Sequence, residues 1–356
     1  MFKIDSAKVM IVIAVFSVLL CGNIFAEYQD VVVYDEPGIF CGWPANEGVW
    51  SWGDEILVGF NVAVYESHDD AHNYDPNFPI ETIQARSLDG GVTWQVERPE
   101  PFGLDVKYQE PHNAINFTHP DFAMKLRNRK LFYSYDRGKK WEGPFLMPKF
   151  DQVFVRARTD YIIESQSCAK MFLSVSRPDG IDGRTLTVET RNGGRTFDML
   201  GWVTPDPEML KDTHSYALMP STVKLAENTY LSAIRCRVAR RKWIDIYKTT
   251  DGGKNWTLLN TAVEGQWNPA SMIKLSDGRI ALTYGWRGVP QGIRAKISDD
   301  DGQSWSDEII LRDDGNIWDL GYPRTVQRSD GKIVTIYYYA TDEMPQQYIG
   351  ATIWQP

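Results

Sequence analysis

Apolar residues in this chain come in short runs of five to eight, each closed by Gly, Asp, Asn, Ser or Pro. Ile56–Ala63, Met171–Ser176, Tyr230–Ile234, Ile280–Tyr284 and Ile333–Tyr338 are such runs. Their length, their β-branched and aromatic content and the turn residues around them predict β-strands. No long stretch repeats its apolar residues at helical spacing, so the pattern predicts an all-β chain. Ser276-Asp277-Gly278 and Ser329-Asp330-Gly331 predict hairpin turns ahead of two of these strands.

One eight-residue phrase, Ser/Thr-x-Asp/Asn-x-Gly-x-x-aromatic, is written five times among the strands. Its copies run from Ser87 to Trp94, Ser134 to Trp141, Thr190 to Phe197, Thr249 to Trp256 and Ser298 to Trp305. Their starts lie 47, 56, 59 and 49 residues apart, the length of one four-stranded propeller blade. The Asp or Asn can accept from backbone N–H groups of a tight turn, and Gly supplies the positive φ that such a turn needs. The closing aromatic is suited to wedging between blades. These acidic residues therefore read as structural.

A second repeat lies behind the first. An x-Pro pair opens the strand before each hairpin: Trp43-Pro44, His119-Pro120, Met219-Pro220, Asn268-Pro269 and Tyr322-Pro323, with Arg158-Thr159-Asp160 in the equivalent place between His119 and Met219. Six openings predict six blades, in one domain over residues 27–356. The last blade, about 316 to 354, lacks the phrase and is expected to be completed by the segment near Val31 to Tyr34, closing the ring. Proline tolerates a strand's first position but not its middle. The x-Pro residues are thus expected at one rim of the central channel, with the turn phrases on the opposite face. Strands returning to that rim end near Arg177, Arg235 with Arg237, and Trp286 with Arg287. The predicted rim is cationic and aromatic, suited to an acidic glycan.

Lys3 and Lys8 precede an apolar run from Val9 to Leu20, and Ile24-Phe25-Ala26 ends in a small residue. This predicts a signal peptide over residues 1–26, cut before Glu27, and a secreted or periplasmic protein. Leu20 stands where a lipidation signal needs a small residue, which argues against an anchor on Cys21. The run is short for a membrane span. The formal net charge of −9 argues against nucleic acid as a partner. Cys41, Cys168 and Cys236 lie beyond the leader, an odd number that permits one disulfide at most. No Cys/His spacing suggests a metal, and no phosphate-binding glycine loop suggests a nucleotide cofactor. The 13 Trp, 17 Tyr and 15 Phe exceed what blade packing needs, and the surplus suits sugar stacking.

The five phrases and the x-Pro openings resemble the sialidase (neuraminidase) superfamily of six-bladed propellers with BNR, or Asp-box, repeats. The resemblance spans nearly all of the chain after residue 26. It implies an exo-glycosidase without cofactor or metal, in which three arginines hold a substrate carboxylate. A tyrosine attacks the anomeric carbon, a glutamate activates it, and an aspartate protonates the leaving group. A neutral nucleophile avoids repulsion by that carboxylate, and arginine forks bind it bidentately. Gly321-Tyr322-Pro323-Arg324 is similar to the family's nucleophile segment, which implies Tyr322 as nucleophile. The resemblance further implies Arg235, with Arg237 as alternate, and Arg294 as carboxylate ligands. It places the acid in Ser67–His72, implying Asp70, with Asp69 and Asp75 as alternates. Trp43, His119, Arg158, Asp160 and Asn268 complete the expected binding rim. Two positions depart from the family. Cys41-Gly42-Trp43-Pro44 lacks the first arginine, and Met219 stands where the activating glutamate is expected, leaving Asp319 or Glu264 as substitutes. Asp70 with Asp160 or Asp319 would instead serve a two-carboxylate mechanism. A glycan-binding propeller without catalysis is the remaining alternative.

Overall fold

The computed structural model describes residues 28–102, 107–109, 113–176, 182–205, 215–265 and 268–356. The expected signal peptide and Arg177 lie outside these residues. Six antiparallel sheets follow one another along the chain as the blades of a propeller, which bears out the predicted fold. The fifth blade shows the plan. Its strands are Ala270–Lys274, Ile280–Trp286, Gln291–Ser298 and Ile309–Gly315, ordered from the channel outward. The last blade holds Gly321–Gln327, Ile333–Tyr339 and Tyr348–Trp354, and Gln29–Tyr34 pairs beside Tyr348–Trp354 as its outer strand. The ring closes as the sequence predicts, and the edge of the last blade is covered.

Each turn phrase closes as its chemistry dictates. Ser87 Oγ donates to Asp89 Oδ1 (2.8 Å) and accepts from the Gly91 N–H (2.7 Å). Asp89 Oδ1 also accepts from the Thr93 N–H (2.9 Å). The aromatic wedges reach the preceding blade: Trp141 Nε1 donates to Gln84, Trp256 Nε1 to Thr187 and Trp305 Nε1 to Asn260. Burial opposes ionisation of Asp89, but the bonds from Thr93, Ser87 and Val92 outweigh it and hold the carboxyl at about 2. Asp251 is held at about 2 in the same way, against burial, by Asn255, Thr249 and Lys254. A carboxyl depressed in the folded state stabilises fully above its unfolded value of about 3.9, and that contribution fades as pH falls towards the folded value. Thermal melts are therefore expected to show Tm dropping between about pH 4 and pH 2. Asp89→Asn, which matches Asn192 of the third phrase, should flatten that slope. An unchanged slope would remove the phrases from the acid response.

The second blade is the exception to the plan. It contains three strands among the described residues, Ala123–Arg127, Lys130–Ser134 and Glu142–Leu146. Ala123 pairs with Ser134, the first residue of the second turn phrase, so this strand starts at the phrase face. His119 consequently lies at that face and not at the predicted rim. Its Nδ1 accepts from the Asp121 N–H (3.2 Å), and Asp121 pairs with Arg137 inside the phrase (2.6 Å). The short helix Pro44–Glu47 of the first blade packs against Ala123–Arg127. There Glu47, with no exposed surface, forms ion pairs with Lys125 and Arg127.

The strand registers orient the ring. In the fifth blade Ser298 pairs with Ile280, and Ile280 with Lys274, so the phrase lies at the far end of the inner strand from Asn268. The x-Pro residues Trp43, Met219, Asn268 and Tyr322 gather at that other end. Cys41, Cys168 and Cys236 are all free thiols. Among the described residues no helix is long and apolar enough to cross a membrane.

Candidate active site

Three inner strands break their ladder at an x-Pro pair. In the sixth blade Gly321 pairs with Tyr338 and Arg324 with Ile336, so Tyr322-Pro323 carries one residue more than the facing strand. In the fourth, Leu218 pairs with Arg235 and Ser221 with Ala233, on either side of Met219-Pro220. In the first, Gly42 pairs with Asn61 and Gly48 with Gly59, around a longer insertion starting at Trp43-Pro44. Trp43, Met219 and Tyr322 take φ of 60°, 58° and 47°. Bulky residues rarely adopt this left-handed conformation, and a following proline disfavours it further. Such bulges re-aim side chains, here at one mouth of the channel.

Tyr322 is fixed from behind. The side-chain oxygen of buried Asn268 accepts from the Tyr322 N–H (3.2 Å), and its amide donates to the Gly285 carbonyl (3.1 Å). Gly321 has φ of 104°, and a Cβ there would stand 2.6 Å from Asn268 Oδ1, so only glycine fits.

Cations surround the phenol. Arg235 donates to Tyr322 Oη (3.1 Å) and to Met219 Sδ (3.4 Å), with its guanidinium 5.2 Å from the Tyr216 ring. Arg287, one residue beyond the strand Ile280–Trp286, lies 5.8 Å from the Tyr322 ring and 4.9 Å from the Trp318 ring. Arg158 donates to Asn46 Oδ1 (2.5 Å). Burial raises the Tyr322 phenol, but the charges of Arg235, Arg287 and Arg158 overcome this and bring it below its ordinary value. Burial, together with Arg237, Arg235 and Arg287, pushes the Lys242 ammonium down to about 8. A chain of net charge −9 thus concentrates five cations at one channel mouth, a field that draws anions.

The first-blade loop forms the facing wall. Trp318 Nε1 donates to the Asp69 carbonyl (3.0 Å). Asp69, Asp70, Gly265, Arg287, Gly288 and Trp318 line a cavity of about 370 Å³. His72 of the same loop lies 4.9 Å from the Trp43 ring and 6.1 Å from Trp318. Its Nδ1 is 2.6 Å from Asp319 Oδ1. Asp319 has no exposed surface and also accepts from Tyr338 Oη (2.6 Å), the Asn73 N–H (3.4 Å) and the Gln347 amide (3.3 Å).

Residues 123–335, more than half of the chain, match the family model of the BNR repeat-like domain. The chain belongs to this BNR repeat-like family. Comparison with curated protein sequences gives no match. Among solved structures, the BNR propeller is similar to a Dyadobacter fermentans protein of unknown function, with a TM-score of 0.71 and 20% identity over 92% of this chain and 99% of that one. It is also similar to the Penicillium chrysogenum α-L-arabinanase in complex with arabinobiose, with a TM-score of 0.59 and 12% identity over 90% and 97% of the two chains. The K499G mutant of the Streptococcus pneumoniae sialidase NanB gives 0.56 and 11% over 87% and 68%. At these identities the likeness is one of fold.

In this BNR propeller Tyr322, Arg235 and Arg158 come together, and Asp70 lines the cavity that Arg287 shares. Arg237 adjoins Lys242 across the strand pair and donates to the Ala239 carbonyl (2.9 Å). Trp43 is buried against Phe40, Tyr74 and His72, a backing for the loop rather than an open platform. Asn268 is likewise enclosed and positions Tyr322. Arg294 does not join Tyr322. It is buried within the fifth blade, donating to Glu308 (3.1 Å) and to the Pro290 carbonyl (3.2 Å), because it lies mid-strand opposite Tyr284. Asp160 lies further down the channel, in a cavity of about 310 Å³ that Arg324 also lines. It accepts from Thr222 N–H (3.1 Å) and hydroxyl (2.9 Å). Burial raises its carboxyl to about 7 against the charge of Arg324 and these bonds. Glu264 is exposed and pairs with Arg241 (2.9 Å), away from the part proposed for it. Sequence reasoning passed over His72, Lys242 and Trp318, and noted Arg287 only as a strand end.

Proposed function

We propose that this protein is an exo-acting glycoside hydrolase that removes a terminal acidic sugar from glycans, with Tyr322 as nucleophile. The observation that carries this reading is the phenol of Tyr322, lowered by Arg235, Arg287 and Arg158. Arg235 and Arg287 take the sugar carboxylate, and Arg158 stands in for the arginine missing at Trp43. The same charges favour the phenolate, so the cations that bind substrate also supply part of the activation lost with glutamate at Met219. Tyr322 attacks the anomeric carbon, the first-blade loop protonates the leaving oxygen, and water then releases the sugar with retained configuration. A two-carboxylate scheme pairing Asp70 with Asp160 or Asp319 finds less support, since both partners are enclosed and bonded.

The test is a panel of methylumbelliferyl glycosides bearing N-acetylneuraminic acid, glucuronic acid, galactose and arabinofuranose. Release from an acidic member and none from the neutral ones is the expected result. Release confined to arabinofuranose would reject the carboxylate reading. Tight binding of sugar acids with no release would leave a glycan-binding propeller.

A further inference from the structure

We infer that His72, held by buried Asp319, is the residue that gives the leaving group its proton and later takes one from water. This rests on the hydrolase reading above and assigns its proton-transfer step to an imidazole in place of an aspartate. Asp319 fixes the ring. With Nδ1 2.6 Å from a carboxylate oxygen that has no exposed surface, Nδ1 carries a proton and Nε2 is the atom left to exchange one. The carboxylate is itself saturated, with Tyr338, Asn73 and Gln347 donating to it and Arg287 3.8 Å away. Burial and the charge of Asp319 push the Tyr338 phenol well above its ordinary value, so Tyr338 stays a donor. The groups around His72 are therefore Asp319 beneath it, Trp43 and Trp318 on its faces, and Asp69 and Asp70 further along its loop.

His68, the other imidazole of the loop, is turned away, with Nε2 3.1 Å from the Tyr74 carbonyl. Asp69 and Asp70 are solvent-exposed, whereas an aspartic acid that donates a proton near neutrality needs burial. Histidine needs none. The balance closes over two steps. Tyr322 phenolate forms a bond to the anomeric carbon as the glycosidic C–O bond breaks, and the proton on His72 Nε2 passes to the departing oxygen. Water then attacks that carbon, gives its proton to Nε2, and returns Tyr322 as phenolate.

The experiment uses 4-nitrophenyl, phenyl and methyl glycosides of the acidic sugar that the panel identifies, with the full chain, His72→Gln, Asp319→Asn and Asp70→Asn. A leaving group that is already acidic needs no donor. His72→Gln should therefore lower kcat/KM roughly 10²–10⁴-fold for the methyl glycoside and less than about tenfold for the 4-nitrophenyl one. Asp319→Asn, a positioning change, should show the same grading more weakly. Equal losses across the three leaving groups, or the graded pattern in Asp70→Asn instead, would overturn the assignment. If the wild type hydrolyses no glycoside, the hydrolase reading fails first, and ¹⁵N resonances of His72 decide the inference separately. Glucuronate or N-acetylneuraminate should move the Nε2 signal while Nδ1 stays put; no movement removes His72 from the site.

Discussion

Tyr322→Phe is expected to keep its fold and to lose hydrolysis of the acidic glycoside by a factor on the order of 10⁴ or more in kcat. The ring stays where the bulge aims it, 5.9 Å from Tyr338, and the bond from Asn268 to the Tyr322 N–H does not depend on the hydroxyl. Binding of the sugar acid should change little, because the guanidinium groups remain. Arg235→Leu separates the two duties of that arginine. It removes a carboxylate ligand and raises the Tyr322 phenol, since the Arg235 charge is the largest influence lowering it. The alkaline shift can be followed by phenolate absorbance, and the rising limb of the pH–rate profile should move to higher pH with it. A Tyr322→Phe variant that retains near-native kcat would end the tyrosine mechanism.

Glu47→Ala is expected to cost about 3–5 kcal/mol of stability, because it strands the buried Lys125 and the half-buried Arg127. For a chain of this length that is a fall in Tm of about 4–7 °C. Glu47→Gln should recover part of the loss through hydrogen bonding. The strain falls at the seam between first and second blades, where the short helix packs against Ala123–Arg127. A melt indistinguishable from wild type would show that the trio contributes nothing net, as some buried ion pairs do.

The ring was legible because its evidence is local: a turn phrase needs only its own eight residues. The closing strand near Val31 to Tyr34 followed from counting, since six openings met five phrases. His119 misled because Pro120 repeats the signal of the other openings, while the strand it precedes starts at the opposite face. Arg294 misled for a different reason. Separation along the chain from Tyr322 says nothing about which way a mid-strand residue points, whereas Arg287, just past a strand end, was already at the mouth. The contact of His72 with Asp319 joins residues 247 apart and has no local signature at all. Only closure of the first blade against the last makes it.

The three x-Pro bulges bear on how such a site changes over evolutionary time. Each adds residues that sit outside the ladder of backbone hydrogen bonds, so the side chain at Trp43, Met219 or Tyr322 can be exchanged without shifting a register. The reactive identity of the molecule is then written in a few positions mechanically uncoupled from its frame. A ring of this kind behaves as a socket with replaceable pins, free to acquire a new chemistry while the blades inherit their stability unchanged.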